Sequence, residues 1–261
     1  MSTRAQQYDA RVTARTELTP HLVRLVLEAP DFVSTGIADE WVGLVVPGQF
    51  QSRYYTVRSI DDARIEVDVV VHDVGLVTEW AKDDPVGQRV TLTEPKGSFL
   101  PPPDAGWLLL VGDLTALPAM ARIGREHAAR LPVRIHAEVP ADSRITDYFA
   151  DGVEVAWLPG DGPSRLAEAV RAIDFPDGPG YFWMAGESAQ MRAIRKHLMR
   201  ERGLPSTHYD VMGYWRSVAQ RQPRAVDPGP IWRAGKAAGK SDEEIWADYD
   251  AAQQGAQGAQ Q

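Results

Sequence analysis

Three consecutive prolines, Pro101-Pro102-Pro103, followed by Asp104, divide the chain into two stretches of different rhythm. Proline fixes φ and brings no N–H, so the run neither continues a helix nor sits inside a sheet. It reads as a stiff connector. Before it the sequence holds short strands. Residues 8–16 and 21–28 alternate apolar and polar positions across a Thr19-Pro20 turn. Residues 49–57, 65–72 and 88–94 are further β-branched or aromatic runs, with a tight connection at Asp61-Asp62. Strands at this spacing predict a small antiparallel β-barrel, interrupted by one helix over 78–82 entered through Gly75.

After the prolines, strands and helices alternate. Strands are expected at 107–111, 133–139, 153–158, 181–185 and 208–212, and helices at 116–130, 164–173 and 188–202. Gly112-Asp113 reads as a turn, and Gly203 as the residue that ends the last helix. This order predicts an α/β domain with a parallel sheet, whose ligands sit outside the carboxyl ends of the strands. The expected organisation is a β-barrel over 1–103, an α/β domain over 104–223 and a helical tail over 224–261. In the tail, Pro228-Gly229-Pro230 breaks the chain before a helix at 231–238. Ser241 and Glu244 form a capping box ahead of Ile245, Trp246 and Tyr249, and 253–261 is a low-complexity end expected to fray.

Composition removes several function classes. The chain has 261 residues and no cysteine, which excludes disulfides, thiolate catalysis, and zinc or iron–sulfur centres held by cysteine. With Lys+Arg 28 against Asp+Glu 36, the net charge of -8 argues against a nucleic-acid binder. No apolar run reaches the roughly 18 residues of a membrane span, and the polar first ten residues lack the apolar core of a signal peptide. A cytoplasmic monomer is expected.

Five segments could carry chemistry. In Arg53-Tyr54-Tyr55-Thr56-Val57-Arg58, alternation points Arg53, Tyr55 and Val57 one way and Tyr54, Thr56 and Arg58 the other. Two guanidinium groups and a ring suit an anionic aromatic ligand, while a solvated surface strand is the alternative. In His72-Asp73-Val74-Gly75-Leu76-Val77-Thr78-Glu79-Trp80, a glycine precedes a helix start whose free N–H groups could meet a phosphate, or whose Thr78 only caps. Gly112-Asp113-Leu114-Thr115-Ala116-Leu117-Pro118 ends the first α/β strand, where nucleotide contact and plain N-capping are equally open. Trp183-Met184-Ala185-Gly186-Glu187 and Gly213-Tyr214-Trp215-Arg216 end later strands. Gly160-Asp161-Gly162 lacks the third glycine of a dinucleotide fingerprint, because Arg165 stands there, and reads as a turn. The histidines lack metal-ligand spacing, and no nucleophile elbow is present.

In this order the five segments resemble the siderophore-interacting protein family, flavin-dependent ferric-siderophore reductases of the ferredoxin–NADP reductase superfamily. The resemblance covers 8–216. It implies an FAD-binding barrel, an NAD(P)H-binding α/β domain and electron transfer to Fe(III) in a siderophore. Carried over position by position, Tyr55 would lie by the isoalloxazine, Thr56 would bond its edge and Arg53 would hold the pyrophosphate, with Arg58 at the same site. Tyr54 and Val57 belong to the same motif. Asp68 and His72 would lie near the ribityl or adenosine portion, and Gly75, Leu76, Val77 and Thr78 would cradle the phosphates. Asp113, Thr115, Ala116, Gly186, Glu187, Tyr214 and Trp215 would form the nicotinamide side.

The chain departs from the family with Leu76-Val77 in place of Pro-Ala, Leu114 in place of Glu, and Trp41-Val42-Gly43-Leu44 in place of His-Val-Lys-Leu. If the tail folds across the cleft, Arg216, Arg233 and Lys236 are the cations expected near the ferric siderophore; Trp215 and Trp232 are expected to pack the tail, with walls for an aromatic chelator as the alternative. Glu138, Asp142 and Asp147 surround Arg144, a local negative charge that favours NADH over NADPH. No catalytic side chain and no metal site are expected. A flavin reductase or electron-transfer reductase for a protein acceptor, and a non-catalytic siderophore-binding protein, are the competing readings.

Overall fold

The computed structural model describes residues 6–48, 52–71, 75–217 and 238. Six antiparallel strands, β1 (Gln7–Thr19), β2 (Leu22–Glu28), β3 (Trp41–Val45), β4 (Arg53–Asp61), β5 (Arg64–Val70) and β6 (Arg89–Thr93), close into a barrel. Their order is β1-β2-β5-β4-β3-β6. Alternation along the strands turns Val12, Leu25, Leu27, Leu44, Val57, Ile65, Val67 and Leu92 into its interior. Helix α1 (Leu76–Lys82) packs against this core through Val77 and Ala81.

Past the prolines come β7 (Leu108–Asp113), α2 (Leu117–His127), β8 (Val133–Val139), β9 (Val153–Pro159), α3 (Leu166–Ala172), β10 (Tyr181–Glu187), α4 (Ser188–Lys196) and β11 (Tyr209–Trp215). The five strands form a parallel sheet in the order β11-β10-β7-β8-β9. The expected two-fold architecture, an antiparallel barrel followed by a parallel α/β sheet, is therefore present.

Barrel and sheet belong to one compact unit, Met1–Trp215. Leu22, Ala38 and Phe99 from the barrel side share a core with α2 and the central strands. Buried charges bolt this junction. Arg122 on α2 donates from Nη1 to Val57 O at 2.9 Å and to Glu40 at 3.2 Å. Asp39 accepts from the N–H groups of Ser98 and Phe99 at 2.8 and 2.9 Å and from the Trp183 indole at 3.2 Å. Arg122 and Glu40 form an ion pair, and Asp39 is satisfied by neutral N–H donors, as burial requires.

Some expected boundaries change. Residues 41–45 form β3, a strand the sequence pattern does not announce because Gly43 interrupts it. A Cβ on Gly43 would stand 2.8 Å from the Ser52 and Thr93 side chains, so a close cross-strand approach requires the glycine there. Gly112-Asp113 is strand, not turn; the turn is a 3₁₀ segment, Leu114–Ala116. Helix α1 starts at Leu76 rather than at Thr78, with Gly75 at its N-cap in a φ of 145°. The helix expected over 188–202 changes after Lys196 into a π turn, His197–Glu201, and Gly203 follows with φ 69°. The strand expected over 49–57 begins at Arg53, and the helices expected in the tail lie outside the described residues.

Candidate functional site

Strand β4 lies where barrel and sheet meet. Val57 is fully buried in the barrel core and Tyr55 packs on the same cluster, while Thr56 and Arg58 turn toward the α/β domain. The alternation read from sequence is thus the observed one. Arg53 is exposed, and its side chain makes no hydrogen bond or ion pair among the described residues. Burial pushes the Tyr55 hydroxyl up to about 12, against the opposing field of the Arg53 guanidinium. Tyr54, 67% exposed, flanks this pair on the outer side. Near α1, Leu76 is exposed while Val77 and Thr78 are buried, and the helix start carries no side-chain cap.

Facing β4 is the carboxyl end of the parallel sheet. Asp113 closes β7 and is buried. It accepts from Thr115 N and Oγ1 at 2.9 and 2.6 Å and from the Trp215 indole at 2.6 Å. Burial raises its carboxyl above the ordinary value, and these donors oppose the rise. Glu138, at the end of β8, accepts from Ser164 Oγ and the Arg165 N–H, both at 2.6 Å. Burial also raises Glu138, with further contributions from Asp113 and Glu187. A Cβ on Gly186, whose φ is 157°, would meet Asp113 Oδ2 at 2.7 Å, so glycine lets β10 turn closely past that carboxylate. Glu187 is buried beside it, and Ala116 fills the space over Gly112.

A cavity of about 230 Å³ lies between barrel and sheet, beside β4 rather than under it, since no β4 residue lines it. His21, Val70 and Val71 line it from the barrel, and Asp113, Thr115, Glu138, Pro140, Ser164 and Trp215 line it from the sheet. No lysine or arginine contributes to that lining among the described residues. Tyr214 leaves β11 edge-on to Trp183, at 6.4 Å between ring centroids, and its buried hydroxyl sits beside Thr56 without a hydrogen bond.

Two expected cofactor contacts have other partners. Arg58 Nη2 donates to Tyr148 O at 2.8 Å, and its guanidinium lies 4.7 Å from the centre of the Tyr148 ring. Asp68 is fully buried, bonded twice by Arg24 at 2.7 and 2.8 Å, and it accepts the Tyr148 hydroxyl. Neither is directed at an open surface, because a buried carboxylate gathers the cations around it.

Arg24 and Tyr148 are not among the residues expected from sequence. Arg24 and Asp68 face each other across β2 and β5, and opposite charges within two apolar strands are a legible signal. Tyr148 leaves no local signal, since its partner is 80 residues away. Arg216 is exposed; His72, Trp232, Arg233 and Lys236 lie outside the described residues. Arg144 is exposed and does not line the cavity, whereas Glu138 does. Among the described residues, no group of three or more acidic or histidine side chains could hold a metal, and no helix is long and apolar enough to cross a membrane.

Two family models match the chain. One is described as the siderophore-interacting FAD-binding domain and covers residues 48–99. The other is described as siderophore-interacting protein and covers residues 105–218. An uncharacterised protein of Mycobacterium tuberculosis is 30% identical over 250 residues, spanning 78% of this chain and 88% of that protein. An NADPH-dependent ferric-chelate reductase of Escherichia coli is 29% identical over 205 residues, spanning 74% and 78%. The crystal structure of a siderophore utilization protein from T. fusca aligns with a TM-score of 0.71 at 26% identity, covering 85% of this chain and 95% of that one.

Proposed function

This chain belongs to the siderophore-interacting protein family, and from that premise we propose that it is an NAD(P)H-dependent flavin oxidoreductase that reduces Fe(III) held in a siderophore. The observation that carries the reading is the junction of two unlike folds. The Arg53-Tyr55-Thr56 strand of the barrel lies at that junction, with Thr56 beside Tyr214 at the carboxyl end of the parallel sheet, and a neighbouring cavity is lined by residues of both folds.

The donor set fits FAD. Arg53 is an exposed guanidinium without a protein partner among the described residues, the chemistry a pyrophosphate needs. Tyr55 supplies a half-buried ring and Thr56 a buried hydroxyl on the adjoining position. Arg53 would hold the pyrophosphate, Tyr55 would lie against the ring system and Thr56 would hydrogen-bond its edge. At Gly75, Leu76, Val77 and Thr78 the donors for the phosphates would be backbone N–H groups, so the Leu76-Val77 departure leaves that role intact. Bound FAD supplies a relay that takes two electrons as hydride and returns them singly.

The chain's own residues then have three tasks. Thr115 and the small residues at the strand ends bind the nicotinamide nucleotide, Trp215 and Val70 shield the cavity from water, and Arg53, Tyr55 and Thr56 hold the flavin. Iron is released because hard-oxygen chelators hold Fe(II) more weakly than Fe(III). Asp113 and Glu138 favour NADH, whose ribose carries a hydroxyl where NADPH carries a phosphate.

Absorbance spectroscopy of the purified, FAD-loaded protein tests the reading. NADH should bleach the flavin, and adding a ferric siderophore should restore the colour while an Fe(II) indicator develops. A protein that binds no flavin, or one whose reduced flavin ignores every ferric chelate, would overturn it.

A further inference from the structure

We infer that Tyr148 is a positioning residue for hydride delivery: it clasps the connection between β8 and β9 onto the flavin-motif strand and so sets the width of the cavity between barrel and sheet. The inference rests on the proposed function. Its observation is separate, a four-residue cluster whose parts come from both folds.

The connection runs from Pro140 to Gly152 and belongs to the α/β domain. Tyr148 leaves it and enters the barrel wall, where the side chain is almost completely buried. There its hydroxyl donates to Asp68 on β5, which Arg24 on β2 holds through two bonds. The ring lies 4.7 Å from the Arg58 guanidinium, and the Tyr148 carbonyl accepts from Arg58 at 2.8 Å. Arg58 Nε stands 3.5 Å from Asp68 and makes no hydrogen bond of its own. One tyrosine thereby joins the α/β domain to β4 and β5 by a charge-assisted hydrogen bond, a cation–π contact and a main-chain bond. Phe149 stacks edge-on behind it at 5.4 Å and leans on Trp157 of β9, which braces the connection from the sheet side.

None of the four residues lines the cavity, but two of the segments that carry them, β5 and the β8–β9 connection, do. Asp68 precedes the cavity residue Val70, the last of β5, by two positions, and Val71, also in the lining, follows it. Glu138 and Pro140, at the start of the clasped connection, line the opposite wall. Hydride transfer depends steeply on donor–acceptor distance, and an error of 1 Å costs about 10²-fold in rate. A clasp that fixes one wall against the other acts on that distance and leaves the Arg53 side untouched.

Tyr148→Phe removes the hydroxyl and keeps the ring and the carbonyl; Tyr148→Leu removes the ring as well. In FAD-loaded protein, stopped-flow reduction by NADH should slow about tenfold in Tyr148→Phe and further in Tyr148→Leu. FAD affinity and the oxidation of photoreduced flavin by a ferric chelate should stay at wild-type values. A purely structural role would lower stability without slowing reduction in molecules that have retained FAD. Hydrogen exchange without FAD gives a second readout: wild-type amides of residues 145–150 should be protected, and should exchange faster in Tyr148→Phe. Unchanged reduction in both variants, equal losses in both half-reactions, or unprotected amides in the wild type would each overturn the inference. If wild-type protein binds FAD but is not reduced by nicotinamide, the proposed function fails while the exchange data still judge the clasp.

Discussion

Arg53 and Arg58 stand five positions apart on one strand and have opposite circumstances. Arg53 is exposed and unpartnered among the described residues, whereas Arg58 lies between Tyr148 and Asp68. Arg53→Ala should therefore lose FAD and keep its fold. Removing a charge-assisted contact costs about 1.5–3 kcal/mol, tenfold or more in affinity. Fluorescence titration of the apoprotein checks this, and undiminished affinity would withdraw the assignment. Arg58→Ala should do the reverse. It takes a cation from buried Asp68, a loss of about 1–3 kcal/mol that lowers the melting temperature by roughly 2–4 °C per kcal/mol at this size. Glu138 carries a third expectation at this scale. Burial raises its carboxyl, so the folded state holds the proton more tightly than the unfolded one, and ionisation weakens the fold. That loss is present above the folded pKa and absent below the unfolded one. Glu138→Gln keeps an acceptor for Ser164 and the Arg165 N–H. It should melt above wild type at pH 7, the two converging as pH falls through the carboxylate range, and it should narrow the preference for NADH over NADPH. An unaltered coenzyme ratio would remove Glu138 from that role.

Elements whose cause is local are legible in the sequence, and elements whose cause is distant are not. The 133–139 run forms β8 with the same limits, because apolar positions flanked by turn residues leave little freedom. Strand β3 is hidden because its glycine is explained only by Thr93 on β6 and by Ser52, the residue before β4. Within the site, the Arg53-x-Tyr55-Thr56 strand is readable from residue type, while Tyr148 depends on a partner far away in sequence. Gly112 shows the same limit. It reads as a turn residue, yet it lies in the central strand, and a Cβ there would stand 2.4 Å from Ala116 and 2.8 Å from Ala185 O. The 3₁₀ segment folds back over β7, and only a missing side chain permits the approach. Gly112→Ala should consequently cost about 1–3 kcal/mol from overpacking, lowering the melting temperature by several degrees, with weaker nicotinamide binding because Asp113 and Thr115 are displaced. Differential scanning fluorimetry decides it: a variant that melts with wild type would show that this close approach is not needed.

Charge is a property of the whole molecule, and here it acts on the acceptor. The chain carries a net charge of -8, and the described cavity lining adds Asp113 and Glu138 without a lysine or arginine. An anionic ferric chelate approaching such a protein is repelled at long range unless a local cation reverses the field. Raising ionic strength from about 0.01 M to 0.15 M shortens the screening length from about 30 Å to 8 Å, which removes repulsion from distant charges first. The second-order rate constant for oxidation of the reduced enzyme by an anionic complex should therefore rise with salt, while that for a neutral complex stays level. Measuring oxidation of photoreduced protein keeps the nicotinamide nucleotide, itself an anion, out of the experiment. A fall with salt would mean instead that a basic site dominates the approach. The cations to substitute next would then be Arg216, Arg233 and Lys236, each singly to alanine, with the salt slope as the readout.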